Sequence, residues 1–154
     1  MAAGKSLLLI IFLLSLSIVV CLIILAFDGL LWFDNPLNGH ATALVAFTAI
    51  QVLILVLLFA RPLIGIRVVF YWSLLYLIIL LLNPLTGPMV GISIEAFALY
   101  LFGVTPIAST PQFSCPFLCP PFVITYDLLI IIQLVIVVAV LSIQRRVTKA
   151  TQKS

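Results

Sequence analysis

Charge is what this sequence lacks most. Of its 154 residues only 7% are Asp, Glu, Lys or Arg, where a soluble domain carries about 25%. So few charges cannot clothe a globular surface or keep a disordered chain solvated. Glycine, at 7 residues, is too sparse for a collagen-like rod. Histidine occurs once, at His40, which excludes bis-histidine haem ligation. No phosphate-cradling glycine motif, no H-E-x-x-H and no Ser/His/Asp set in one compartment is present. No basic patch is interleaved with aromatic residues, so nucleic-acid binding is not expected despite a pI near 9.0.

What the chain has is hydrophobicity: 66% of its residues are apolar and its mean hydropathy is +1.46. A transmembrane helix needs about 20 apolar residues. The chain therefore reads as one all-α transmembrane domain over 1–154, with no room for a separate soluble domain. Charges set the spans. Ser6 to Phe27 holds no charge between Lys5 and Asp28, and a second uncharged run covers 41–60 before Arg61-Pro62. A third covers about 64–83, with the Arg67 side chain reaching back to the headgroups and Asn83-Pro84 ending it. The fourth runs over about 122–144, ahead of Arg145-Arg146. Its β-branched core would suggest a strand in water, but an unpaired strand edge is too costly in lipid, so a helix is expected. The first span is too long for a secretory h-region and no small-x-small site follows it, so it reads as an uncleaved anchor.

Basic residues near span ends stay cytoplasmic. Four spans put Lys5, Arg61, Arg67, Arg145, Arg146, Lys149 and Lys153 on one side, and Asp28, Asp34, Glu95 and Asp127 on the other. The expectation is an integral membrane protein of the plasma membrane with both termini cytoplasmic. Trp32 and Phe33 would mark the outer interface, and Phe70, Tyr71 and Trp72 the inner one. An extracytoplasmic loop covers 84–121. Its stretch Met89 to Gly103 is apolar but too short for a span and carries Glu95, so it reads as a short interfacial or re-entrant helix. Asn35-Pro36-Leu37-Asn38-Gly39 and Asn83-Pro84-Leu85-Thr86-Gly87 echo one another, either as a duplicated hairpin or as shared turn chemistry.

Chemistry-bearing residues are few. Cys115 and Cys119 flank Pro116-Phe117-Leu118 on the expected outer side, where disulfides persist. They read as a structural disulfide, with an exchange-active dithiol as the alternative. The C-x3-C spacing resembles the dinuclear copper site of oxidase subunit II. That pattern continues to a histidine, where this chain has Val123, and then to a methionine, which is absent. No metal or cofactor site is therefore carried over. His40 reads as an interfacial polar residue near Asp34. Asp127 is either a proton-relay carboxylate or the complement of a helix N-terminus. Gln51 and Gln133 lie within spans, where an amide seeks a partner: each other or a backbone carbonyl. Ala43, Ala46 and Ala49 form a small-residue face for close helix packing, and Ser15 and Ser17 serve similarly in the first span.

The function expected from these features is a non-catalytic accessory subunit of a larger membrane complex, possibly respiratory or oxidase. Its partners would be the bilayer and larger subunits, or a second copy. A membrane thiol–disulfide oxidoreductase using Cys115 and Cys119 is the alternative. A small transporter or channel is third, disfavoured by the lack of intramembrane charge.

Overall fold

In a computed structural model, the described residues are 2–27, 40–83, 85, 88, 93–95 and 119–151. Side chains are described for 6–26, 42–83, 85, 88, 93–95 and 126–145. The chain forms α1 (Ala2–Phe27), α2 (His40–Ala60), α3 (Pro62–Leu82) and α4 (Cys119–Thr151). Four stretches are long and apolar enough to cross a membrane: Ser6–Ala26, Thr42–Ala60, Pro62–Leu82 and Tyr126–Arg145. This is the architecture of an integral membrane protein, in which helices satisfy every backbone donor internally. The expected outer landmarks Asp28, Trp32, Phe33, Asp34, the first Asn-Pro pentapeptide and Cys115 lie outside the described residues, as does most of 89–103.

The break between α2 and α3 is made by one dipeptide. Pro62 disfavours helical geometry at the residue before it, and Arg61 takes φ −144°, ψ 78°. Arg61 N–H still bonds the Leu57 carbonyl, closing α2, and its own carbonyl accepts from Gly65 N–H, opening α3 (both 2.8 Å). Pro62 suits the first helical position because its missing N–H would have had no partner there. Gly65 then lets the two helices close up. A Cβ there would lie 2.8 Å from Leu58 Cα and 2.9 Å from Leu58 Cδ2.

The helices pack in a ring: α1 lies between α2 and α4, and α3 lies between the same two. Leu58 opposite Gly65 and Phe47 opposite Tyr76 make α2 and α3 antiparallel. The hydroxyl of Tyr126 on the Leu80 carbonyl fixes α4 antiparallel to α3. Ser17 meets Gln133, and Cys21, one turn on, meets Tyr76, which lies nearer the Asn83 end. So α1 runs toward that end, parallel to α3. Arg61 and the helical positions Lys5, Arg67, Arg145, Arg146 and Lys149 all fall toward one end, and Asp127 falls near the other.

Each helix is apolar nearly all round, so no hydrophobic stripe points to a core. The interior is distinguished by shape and by polar groups. Leu14, Leu58, Val69, Tyr76, Leu129, Ile136 and Val140 are fully buried. Leu8, Phe12, Leu53, Phe59, Tyr71 and Val138 face outward, where lipid would meet them. One expectation is corrected here. Trp72 is not at an interface: α3 begins at Pro62, so Trp72 sits midway along it and packs edge-on against Phe47 at 5.5 Å.

Candidate functional site

The candidate site is the polar centre of the bundle. Ser17, Thr48, Gln51, Ser73 and Gln133 are buried polar residues, and Cys21 and Tyr76 are buried beside them. Every helix contributes. Ser17 and Cys21 stand one turn apart on α1, Thr48 and Gln51 on α2, and Ser73 and Tyr76 on α3, while Gln133 comes from α4. Spacings of three or four place each pair on one helix face.

The groups form two layers. In the first, Gln51 Nε2 donates to Cys21 Sγ (3.6 Å). Cys21 Sγ lies 3.4 Å from the Tyr76 hydroxyl, a bond in which either can donate. Tyr76 packs edge-on against Phe47, with ring centroids 5.0 Å apart. Thr48 Oγ1 donates back to the Leu44 carbonyl of its own helix (2.7 Å), which satisfies it locally.

In the second layer, Gln133 Nε2 donates to Ser17 Oγ (2.8 Å). Ser73 belongs to this layer by register. Tyr126 reaches Leu80, and seven residues further from that contact on both antiparallel helices stand Gln133 and Ser73. The layers are separated by one helical turn, about 6 Å.

The two glutamines do not bond each other or a backbone carbonyl through their amide hydrogens. They are tied to α1 side chains instead. Their Oε1 atoms, with Ser73 Oγ and Trp72 Nε1, are buried polar atoms without a hydrogen-bond partner. The interior links α1 to α2, α3 and α4 by side-chain hydrogen bonds.

The other expected residues are scattered. Cys119 is the first residue of α4, and His40 the first of α2. Ala43 is half-buried, while Ala46 and Ala49 are exposed on the outside of α2. Asp127 is half-buried on α4, and Glu95 is exposed. Among the described residues no group of three or more His, Cys, Asp or Glu is placed to hold a metal ion. Sequence reasoning singled out Gln51, Gln133 and Ser17 but missed Thr48, Ser73 and Tyr76. The signal available was the pairing of polar residues three or four apart inside three of the spans. No family model, curated protein or solved structure matches the chain, so its functional reading rests on its own residues.

Proposed function

We propose that the chain is a non-catalytic subunit of a larger membrane complex, docking through the outer face of α2. The observation that carries this reading is the exposure of Ala46 and Ala49 beside Val45, Val52 and Leu53. Small residues on a lipid-facing surface permit the close backbone approach on which helix association in membranes depends. Within the bundle, α2 meets α3 closely at Gly65, so these alanines remain available on the outside. The apolar outer faces of α1, α3 and α4 suit lipid. A respiratory or oxidase complex is one setting for such a subunit.

In this reading the Arg61 end is cytoplasmic, because basic residues there meet anionic headgroups and resist translocation. Both termini are then cytoplasmic and the 84–121 loop is external, with 89–103 as an interfacial or re-entrant helix. A cysteine introduced at Ser109 should react with an impermeant reagent in intact cells. Protection until the cells are opened would defeat this orientation.

The subunit reading is tested by purification in mild detergent with mass spectrometry. The wild-type chain should elute with larger subunits, or with a second copy. Ala46→Phe should insert yet elute alone, since hydrophobicity is kept and close approach is lost. A stable, cofactor-free wild-type monomer, unaltered by Ala46→Phe, would defeat the reading.

A second reading, a thiol–disulfide oxidoreductase, draws on the place of Cys119 at the start of α4. A helix N-terminus favours the thiolate form on which exchange depends. Replacing Cys115 and Cys119 together should then cause reduced exported proteins to accumulate. If the pair is only structural, the same replacement costs stability, typically about 2–4 kcal/mol for a disulfide, and leaves exported proteins oxidised.

A further inference from the structure

The centre of the bundle carries more hydrogen-bonding capacity than its own residues use. Gln51, Ser73 and Gln133 have no solvent exposure. Gln51 Oε1, Gln133 Oε1 and Ser73 Oγ nevertheless lack a protein partner. An unpaired amide or hydroxyl is costly in an apolar medium, and neither lipid tails nor the surrounding Leu, Ile and Val side chains can relieve it.

The three residues come from three helices packed round one interior. Both amides are anchored on the same helix, Gln51 Nε2 on Cys21 and Gln133 Nε2 on Ser17, one turn apart. They approach α1 from opposite sides, since α2 and α4 flank it. With each Nε2 engaged on α1, each Oε1 is left without a donor. Ser73 stands level with Gln133 on the adjoining helix. Trp72, the next residue back, is turned about 100° round α3 and packs its ring on Phe47 and Tyr76.

We propose that Gln51, Ser73 and Gln133 form a buried water-binding site at the centre of the bundle. Two amide oxygens require donors, and a single hydroxyl proton on Ser73 cannot serve both. A water molecule offers two donors and two acceptor positions. It bridges the amide oxygens while accepting from the Ser73 hydroxyl, within the two to four bonds typical of internal water. A cation would find oxygen ligands here but no counter-charge. No acidic residue is buried among the described residues, and an uncompensated charge inside a membrane bundle is disfavoured. The ligand is therefore neutral and small, and it is part of what holds α2, α3 and α4 around α1. This inference is independent of the subunit reading.

Water-edited solid-state NMR on the isotopically labelled full chain in phosphatidylcholine/phosphatidylglycerol bilayers tests it. Gln51 Cδ, Gln133 Cδ and Ser73 Cβ should receive magnetisation from water, while Leu129 and Ile136 stay dark. Amide carbons as dark as Leu129 and Ile136 would overturn the site. Gln133→Leu should abolish the transfer at Ser73, and transfer left intact there would show that the two residues share no water. Exchanging sodium for choline should leave the Gln51 and Gln133 signals in place. A sodium-dependent shift of both would replace water with a cation and overturn the proposal. If Gln133→Leu does not fold, the wild-type spectrum decides alone.

Discussion

The hydroxyl of Tyr126 donates to the backbone carbonyl of Leu80, tying the first turns of α4 to the last turn of α3. That carbonyl is available because of the sequence four residues on. Its helical partner would be the N–H of residue 84, which is proline and has none. Asn83 N–H supplies one bond to Leu80 by tightening the last turn, and Tyr126 supplies the second. A helix terminus is thus satisfied by a side chain from its neighbour.

Tyr126→Phe keeps the ring and removes the hydroxyl, which bonds the Asn83 side chain as well as the Leu80 carbonyl. Loss of each bond should destabilise the bundle by about 0.5–1.5 kcal/mol, read as a lower midpoint in denaturant titration of detergent-solubilised protein. Pro84→Ala should reduce that loss, because residue 84 would then offer the Leu80 carbonyl an N–H. Equal losses in the two backgrounds would disconnect the tyrosine from the proline.

Gly65 gives a prediction whose sign is unusual. Gly→Ala inside a helix ordinarily stabilises by roughly 0.5–1 kcal/mol. Here the added Cβ would meet Leu58 Cα at 2.8 Å, and backbone cannot rotate away. Gly65→Ala should therefore destabilise, within the roughly 1–3 kcal/mol typical of overpacking. Leu58→Ala should not rescue it, since it removes Cδ2 and leaves Cα. A stabilised Gly65→Ala protein would mean that α2 and α3 stand further apart than described.

The four spans were legible because charge marks their ends: Lys5 and Asp28 bracket the first, and Arg61-Pro62 divides the second from the third. The faces were not legible. In water an apolar stripe tells which side of a helix turns inward, but α1 is apolar all round and its inward side is set by Ser17 and Cys21. Ser17 was named for close packing, but nothing in sequence placed Cys21 on the same inward face. Ser73 and Tyr76 escaped notice because nothing in a span that is apolar nearly all round marks which of its polar residues turn inward. Arg67 is one turn inside α3 and exposed, where a long side chain reaches back to the headgroups.

Gln133 and Ser17 should be energetically coupled. Gln133→Leu and Ser17→Ala each leave the other partner unpaired, so the double variant should lose less than the sum of the singles. Interhelical hydrogen bonds in membranes average about 0.6 kcal/mol and reach about 1.7. A double-mutant cycle by equilibrium unfolding measures the term directly. Strict additivity would mean that the 2.8 Å contact contributes nothing to holding α1 against α4.

Cys21 reports on the same interior through its reactivity. Its thiol is free and has no solvent exposure, and it is held between Gln51 and Tyr76. Buried cysteines are inert until the structure around them opens. In a variant with Cys115 and Cys119 replaced by serine, a maleimide should add nothing at Cys21 in bilayers and one label per chain after denaturation in SDS. Slow native labelling would then measure local opening of α1, and Gln51→Leu should speed it by removing one of the bonds that hold the thiol. If Cys21 reacted as fast in the folded protein as in SDS, its thiol would face outward. Ser17, one turn away on the same face of α1, would then face outward with it, and the polar centre built on both would have to be abandoned.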